Sequence, residues 1–252
     1  MIWKFVDTGF NAGTFNMDYD LNLVQNFSGT PMLRVYRWEP YCISLGANQD
    51  YNSINHQKAL SDKIDIVKRP TGGRAILHAE ELTYSVVFLV SGKYSPKKIY
   101  REINLALKNG LVNYNSELDK INLENNQPHF PSFYKKEKSN LCFAVSAMNE
   151  LNYNGKKVVG SAQRKMGNVI LQHGSILCGN FHKNIISYLN LASDKIKEIK
   201  NEIEHTTTEL ETILDEKTDY ARLALSIKKG FEDHFNIEFE EEMFLETIPQ
   251  VN

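Results

Sequence analysis

The sequence predicts an α+β fold, with mixed and antiparallel β-sheets flanked by helices. Short runs rich in β-branched and aromatic residues, separated by turn residues, fill most of the first two-thirds of the 252-residue chain. Beyond about residue 182 the chain is charged and has the spacing of amphipathic helices. Strands that come first and helices that come last are typical of α+β proteins.

Length and composition predict one folded domain over residues 1–252, with a helical C-terminal part from about residue 182. Hydrophobic residues make up 42% of the chain and aromatic residues 11%, which is enough to fill a sizeable core. The 24% of charged residues matches an ordinary folded surface and excludes disorder of the whole chain. The net charge is 29 − 31 = −2, so we expect no nucleic-acid partner.

Cysteine usage and hydropathy predict a cytoplasmic protein with reduced thiols. Cys42, Cys142 and Cys178 are odd in number, and their spacing indicates neither a disulfide framework nor a metal site. The N-terminus lacks the basic and apolar segments of a secretory signal. The longest apolar run, Val86–Val90, is far shorter than the roughly 20 residues that cross a bilayer, so we expect no membrane association.

The first half of the chain predicts strands mixed with helices. A strand covers residues 2–6, and Thr14 is expected to cap a helix that runs to about residue 27. Further strands are expected at 32–38, 42–46, 64–69, 75–78 and 82–90, with helices around 52–61 and from about Ser95 to Val112. The polar stretch 114–141 contains two prolines and is predicted to be mostly loop.

The second half begins with an antiparallel meander. Asn154-Gly155 between two β-like runs is typical of a two-residue type I′ hairpin turn. A second turn at residues 166–168 leads into the strand VILQHGSIL. Helices follow His182, with a break expected at Thr206–Thr208.

A glycine pair in the segment KRPTGGRAILH is the first candidate for chemistry. Gly72 and Gly73 allow the backbone to approach a ligand closely. Arg69, Arg74 and His78 flank them with donors suited to a phosphate or a carbonyl. The spacing fits neither a P-loop nor a dinucleotide fingerprint, and the glycines alone are more often a tight turn between surface arginines.

The second candidate is the predicted strand KKVVGSAQ. Strict alternation places Lys157, Val159, Ser161 and Gln163 on one face and Val158, Gly160 and Ala162 on the other. A lysine that shares a face with Ser and Gln could line a polar pocket. A solvated strand end after a turn explains the same composition equally well.

The third candidate is Cys142, which follows a polar loop and stands near the lysines at 135, 136 and 138. An ordinary cysteine thiol with a pKa of about 8.5 is only about 3% thiolate at pH 7. Stabilising the thiolate by roughly 2.7 kcal/mol would make it the major form, and one adjacent, partly desolvated lysine can supply that much. Cys42 and Cys178 stand in apolar strands and are interpreted as small buried groups. Composition leaves the same interpretation open for Cys142.

Together, the three segments resemble the lipoate/biotin protein ligase superfamily, and most closely its LipM-type octanoyltransferases. The resemblance covers roughly the first 180 residues. It is carried by WKFVDTG, FNMDYDLNL, RPTGGRAILHAEELTYSV, the CF pair at 142–143, and GKKVVGSAQ followed by LQHGSI. The resemblance implies a biotin/lipoate protein ligase-like catalytic domain. Two departures are Ala79, where members often have Asp, and Val145-Ser146, where a proline often follows the CF pair.

The resemblance also implies an activity and its partners. An octanoyl group would move from octanoyl-acyl carrier protein to a lysine of a lipoyl-accepting protein, such as glycine cleavage H protein or a dehydrogenase E2 lipoyl domain. Cys142 matches the family's acyl-accepting cysteine and Lys157 its activating lysine. Positions implied to bind the substrate are Arg69, Gly72, Gly73, Arg74, His78, Gly160, Ser161, Ala162, Gln163 and His173. No cofactor and no metal is implied.

Three alternatives remain at this point. The first is an ATP-dependent lipoate–protein ligase that uses the same glycine turn and leaves Cys142 idle. The chain ends without the extra C-terminal domain that many such ligases carry, which favours the transferase. The second is octanoyl transfer between two lipoyl-accepting proteins. The third is a non-catalytic acyl- or carrier-binding module, against which the presence of both Cys142 and Lys157 argues.

Two surfaces are weaker candidates. Val86–Val90, Val158 and Ile170 could line a slot for the acyl tail, although an ordinary core position explains them equally well. The clusters Lys135–Lys138 and Arg164-Lys165 could steer an acidic carrier protein, although solvated loops explain them equally well.

Overall fold

The computed structural model describes residues 1–92, 94–124 and 150–241. The strands are β1 (Ile2–Asn11), β2 (Met32–Trp38), β3 (Cys42–Leu45), β4 (Asp65–Lys68), β5 (Ile76–His78), β6 (Glu81–Leu89), β7 (Ile121–Leu123), β8 (Leu151–Tyr153), β9 (Lys156–Met166), β10 (Val169–Leu177) and β11 (Glu238–Glu241). The α-helices are α1 (Gly13–Gln25), α2 (His56–Ser61), α3 (Pro96–Tyr114), α4 (Ser193–Thr206), α5 (Leu210–Leu214) and α6 (Tyr220–Phe235). Short 3-10 segments cover Tyr51–Ser53, Ser116–Lys120 and Phe181–Tyr188.

The strands form a large mixed sheet and a small one. The large sheet has the order β11-β1-β2-β6-β10-β9-β8-β7, and the small sheet has the order β4-β3-β5. Pairing is parallel between β11, β1 and β2 and antiparallel across the rest of the large sheet. The predicted α+β class, with mixed and antiparallel sheets flanked by helices, is therefore confirmed.

The main core lies between one face of the large sheet and the helices α3 and α6. Leucine, isoleucine, valine and aromatic side chains of β2, β6, β9 and β10 meet the apolar faces of both helices there. The two helices approach so closely that Gly110 of α3 lies against the backbone of α6 at Ile227. The opposite face of the large sheet carries α1 and the small sheet, and its side chains are largely polar.

Most predicted elements are confirmed, some with shifted ends. β2 covers the predicted residues, and the hairpin turn has positive φ at Asn154 (49°) and Gly155 (77°), as a type I′ turn requires. Thr14 was expected to cap α1, but the helix begins at Gly13 with Ala12 at the cap position, so this prediction is wrong. The C-terminal part also contains a strand, β11, because its backbone pairs in parallel with β1.

The described segments contain neither a membrane-spanning helix nor a cluster of metal-binding side chains. None of their helices is long and apolar enough to cross a membrane. Their His, Cys, Asp and Glu side chains form no group of three that could hold a metal ion. The single-domain prediction and the absence of a metal stay predictions.

The close approach of α3 and α6 predicts the cost of adding one methyl group. A Cβ atom at residue 110 would lie 2.7 Å from Ile227 Cα and 2.9 Å from Ser226 O, so Gly110→Ala must separate the helices. We expect the free energy of unfolding to fall by about 1–3 kcal/mol in urea titrations, despite the helix propensity of Ala. Gly92→Ala is the control, because a Cβ there meets nothing within 4 Å. Equal stability of the two variants would contradict the packing argument.

Candidate active site

A pocket lies on the face of the large sheet opposite the main core, between that sheet, α1 and the small sheet. Strand alternation produces this face: Thr83 of β6, His173 and Ser175 of β10, and Gly160 and Ala162 of β9 all line the pocket. The apolar part of the lining consists of Met17, Tyr36, Trp38 and Ile76. The remaining lining residues are Ser44, Arg69, His78, Ser161 and Gly174. The pocket therefore combines apolar walls with a few basic and hydroxyl groups, as ligand sites commonly do.

His78 is held between a hydroxyl and a carboxylate. Its Nε2 lies 2.7 Å from Ser44 Oγ, and its Nδ1 lies 2.7 Å from Glu81 Oε1. Thr83 and Ser175 also donate to Glu81 Oε1. Burial raises the pKa of the Glu81 carboxyl, but the charge and hydrogen bond of His78 outweigh this and hold that pKa below its usual value. Glu81 is therefore a carboxylate that fixes the His78 ring in the pocket wall.

His173 is held in the same way by Asp20 of α1. Its Nδ1 lies 3.0 Å from Asp20 Oδ2, and its Nε2 lies 2.7 Å from the Thr71 hydroxyl in the glycine turn. Burial lowers the pKa of His173, and the nearby Asp20 only partly opposes this. A neutral ring that donates from Nδ1 to Asp20 and accepts at Nε2 from Thr71 satisfies both contacts. The helix α1 and the glycine turn are thus joined through one imidazole.

Asp20 itself is fully buried and has four partners. Arg34 Nη1 donates at 2.8 Å, Ser85 at 2.8 Å and Tyr36 at 3.2 Å, in addition to His173. Burial raises the pKa of the Asp20 carboxyl, but the hydrogen bond from His173 and the charge of Arg34 hold that pKa below its usual value.

The glycine turn is shaped by Arg69. Its guanidinium donates to the carbonyls of Ser44, Gly72 and Arg74, at 3.0, 3.0 and 2.7 Å. Gly73 has φ of 96°, which favours glycine, and its carbonyl passes so close to Gly46 that a Cβ at residue 46 would collide with it. The glycine pair is exposed, whereas Arg69 and Arg74 are buried, so the interpretation as a turn with surface arginines is wrong. The hydrogen bonds of the Arg69 guanidinium therefore hold the glycine turn in its conformation.

Lys157 is completely buried and forms an ion pair with Glu150. The Nζ–Oε2 distance is 2.9 Å, and the other carboxylate oxygen, Oε1, lies 3.5 Å from the backbone nitrogen of Ser161 in the pocket wall. Lys157 does not line the pocket directly. It stands behind the wall that Gly160 and Ser161 form.

Strict alternation along β9 was predicted, and this is wrong at one point. Asn152 pairs with Lys157 but Leu151 pairs with Val159, so Val158 is an extra residue in a β-bulge. Val158 and Val159 both lie in the main core, as the two residues of a bulge can. Lys157 therefore faces away from that core, on the side of Gly160 and Ala162, whereas Ser161 bonds Tyr84 and Asn104 on the helix side.

The structure brings together six of the ten predicted substrate-binding residues at the pocket: Arg69, His78, Gly160, Ser161, Ala162 and His173. Gly72, Gly73 and Arg74 lie in the adjoining turn. Gln163 is not part of the lining, because its side chain donates to Gln172 instead. Val86, Val158 and Ile170 lie in the main core and not at the pocket, so the ordinary-core interpretation holds for them. Cys142 and Lys135–Lys138 fall within 125–149, outside the described residues.

Sequence reasoning missed the groups that stand behind the basic residues. Asp20, Glu81 and Glu150 were not singled out, although the first two lie within segments that carried the resemblance. Period-2 spacing in LQHGSI could have identified Ser175, which shares a face with His173.

The fold is that of solved lipoate protein ligases. A bipartite lipoate protein ligase of Thermoplasma acidophilum superposes with a TM-score of 0.77 at 18% identity, covering 98% of this chain and 88% of that one. A lipoate-protein ligase A bound with ATP superposes with a TM-score of 0.74 at 18% identity, covering 98% and 90%. At this identity the likeness defines the fold alone.

Sequence comparisons then define the family. Residues 12–232 match the lipoyl protein ligase A/B catalytic domain. An octanoyltransferase LipM of Clostridioides difficile is 32% identical over 95% of this chain and 89% of its own length, and one of Lysinibacillus sphaericus is 31% identical over 94% and 88%. The chain therefore belongs to the lipoyl protein ligase A/B family, as a LipM-type acyltransferase.

The buried histidine His173 predicts how stability depends on pH. An unfolded histidine takes up a proton near pH 6.5, whereas the lowered pKa of His173 delays this in the folded state. Stability is therefore fully present above about pH 6.5 and is lost as the pH falls toward the folded-state pKa. We expect urea titrations to show a smaller loss from pH 7.5 to 5 for His173→Gln than for the wild type. The exposed His205→Gln is the control, and equal pH slopes for the two variants would contradict the assignment.

Proposed function

We propose that this chain transfers an octanoyl group from octanoyl-acyl carrier protein to a lysine of a lipoyl-accepting protein, through a thioester on Cys142. The observation that carries the proposal is identity of about 30% with octanoyltransferases along nearly the whole chain. The pocket supports it independently, since it offers basic and hydroxyl groups beside apolar walls.

An acyl chain fits the chemistry of the pocket. Met17, Tyr36, Trp38 and Ile76 provide an apolar surface in the pocket lining, as sites for apolar ligands do. Burial of about six methylenes at ~0.8 kcal/mol each contributes roughly 5 kcal/mol. One methylene more or less changes affinity only about fourfold, so this burial selects a medium chain without strict length.

Cys142 is the proposed nucleophile, and the other two cysteines are poor candidates. Cys42 and Cys178 are fully buried, as predicted. Burial raises the pKa of Cys42 well above its ordinary value and that of Cys178 to about 12, so both stay protonated at neutral pH. The resemblance to the family assigns the acyl-accepting role to Cys142.

In the first step, the Cys142 thiolate attacks the thioester carbonyl of the loaded carrier. The new carbon–sulfur bond forms on Cys142 and the carrier's carbon–sulfur bond breaks. The departing carrier sulfur leaves as a thiolate and takes its proton from water, while the Lys157 ammonium group favours the thiolate form of Cys142. One thioester replaces another, so the step is nearly balanced and needs no ATP.

In the second step, a neutral lysine amine of the acceptor protein attacks the Cys142 thioester. A carbon–nitrogen bond forms, the carbon–sulfur bond of Cys142 breaks, and the proton that the amine loses passes to water. Cys142 is then again a thiolate. The amide is far more stable than the thioester, which drives the transfer.

The partners are expected to approach the glycine turn. The turn is exposed at Gly72 and Gly73, and the exposed Arg164 donates to its Pro70 carbonyl at 2.7 Å. A basic group beside an exposed turn suits an acidic carrier protein. A solved ligase of the same fold was studied together with its E2 lipoyl domain, which supports a lipoyl domain as the acceptor.

Intact mass spectrometry tests the proposal. Mixed with octanoyl-acyl carrier protein and without ATP, the wild type is expected to gain one octanoyl group that hydroxylamine removes. Cys142→Ser is expected to lose this adduct, because an unactivated hydroxyl does not replace the thiolate. Cys178→Ala is the matched control, since it also removes one thiol, and it is expected to keep the adduct.

Three outcomes would contradict the proposal. An adduct that survives Cys142→Ser would assign the acyl group to a different residue. Formation of an acyl-adenylate from ATP and free octanoate, with no adduct from the carrier, would identify a ligase. An adduct from an octanoylated lipoyl domain but not from the carrier would identify transfer between two lipoyl-accepting proteins.

A further inference from the structure

The ion pair of Lys157 and Glu150 is almost completely buried at the interior strands β8 and β9 of the large sheet. The two side chains are 1% and 4% exposed, and Nζ lies 2.9 Å from Oε2. Removing two charges from water costs several kcal/mol per ion, and the attraction within the pair only offsets this. Well-packed apolar residues would stabilise the site as well, so a structural role alone does not account for the pair.

The backbone around the pair is arranged to bring it to the pocket. The bulge at Val158 turns Lys157 to the side of the sheet that carries Gly160 and Ala162. Glu150 directly precedes β8 and reaches the neighbouring strand β9, where its Oε1 lies 3.5 Å from the Ser161 nitrogen. One carboxylate therefore contacts both the ammonium group and the backbone of the pocket wall.

We propose that Glu150 is a positioning residue for acyl transfer, which holds the Lys157 ammonium group behind the pocket wall formed by Gly160 and Ser161. This inference rests on the proposed function, in which the Lys157 ammonium group favours the thiolate form of Cys142. The negative charge of Glu150 offsets the free-energy cost of burying the ammonium group. The contact of its Oε1 with the Ser161 backbone nitrogen fixes the position of the ion pair.

A second buried Glu in the chain provides a comparison. Glu209 is 1% exposed and lies 2.9 Å from Lys183, a pair that resembles that of Glu150 in distance and in burial of the carboxylate. Neither Glu209 nor Lys183 lines the pocket. Glu209→Gln therefore reproduces the loss of a buried carboxylate outside the pocket lining. The backbone of the preceding Thr208 donates to Lys157 O at 3.0 Å, so this variant also reports any effect of a disturbed backbone at Lys157.

The test compares single-turnover rates of Cys142 octanoylation by octanoyl-acyl carrier protein. Glu150→Gln is expected to lower the rate at least tenfold, because the amide keeps the size of the side chain but loses its charge. The concentration of carrier that gives half the maximal rate is expected to change less than twofold. Glu150→Asp, which keeps the charge on a shorter side chain, is expected to recover part of the rate. Glu209→Gln is expected to stay within twofold of the wild type.

A double-mutant cycle separates positioning of Lys157 from a general loss of stability. In the Lys157→Met background, adding Glu150→Gln is expected to change the rate less than twofold, because the carboxylate acts only through the lysine. If Glu150→Gln does not fold, Glu150→Asp is measured alone and in the same cycle, with an intermediate rate expected in the wild-type background.

Three results would overturn the inference while leaving the proposed function intact. They are a wild-type rate for Glu150→Gln, an equal loss for Glu209→Gln, and a full additional loss in the Lys157→Met background. Absence of any Cys142 adduct in the wild type would instead overturn the proposed function. The two failures are thus distinguishable in one set of measurements.

Discussion

The burial of the Asp20 carboxylate is the constraint on which the pocket side of the molecule depends. A charge without access to water must be matched by donors on every side. Three different strands supply four of them: Arg34 and Tyr36 from β2, Ser85 from β6 and His173 from β10. Those contacts fix α1 against the large sheet, and through His173 and Thr71 they also fix the glycine turn. The shape of the pocket follows from the partners of one carboxylate.

The same arrangement occurs three times around the pocket. A buried carboxylate stands behind a basic group in the pairs Asp20–His173, Glu81–His78 and Glu150–Lys157. In the two histidine pairs the ring reaches the pocket with its second nitrogen on a hydroxyl. This division places the two imidazole rings in the pocket wall while the carboxylates that hold them stay behind it. A pocket that must also accept an apolar chain needs such pairing, because unpaired charge would favour water over the chain.

Local sequence predicted the elements well, and pairings between distant residues could not be predicted. The β-branched run of β2 and the Asn154-Gly155 turn indicate their structure through short-range geometry, and both are confirmed. The contact of His173 with Asp20 spans 153 residues, and only the fold brings the two together. The bulge at Val158 is equally hidden, because two adjacent valines are compatible with either phase of alternation. That single extra residue changes the side of the sheet on which Lys157 lies, so strand alternation alone predicts its position wrongly. The residues of the pocket lining were predictable mainly from the family resemblance.

The fold alone does not decide between a ligase and a transferase, and the decision rests on the sequence identity with octanoyltransferases. Lipoate ligases share this architecture at 18% identity, and one of them binds ATP. A ligase must stabilise phosphate charge at the acyl carboxyl, and a lysine side chain can supply the positive charge for that task. Lys157 is poorly placed for it, because its charge is already balanced by Glu150 and its side chain does not line the pocket. The side chains therefore agree with the sequence comparison.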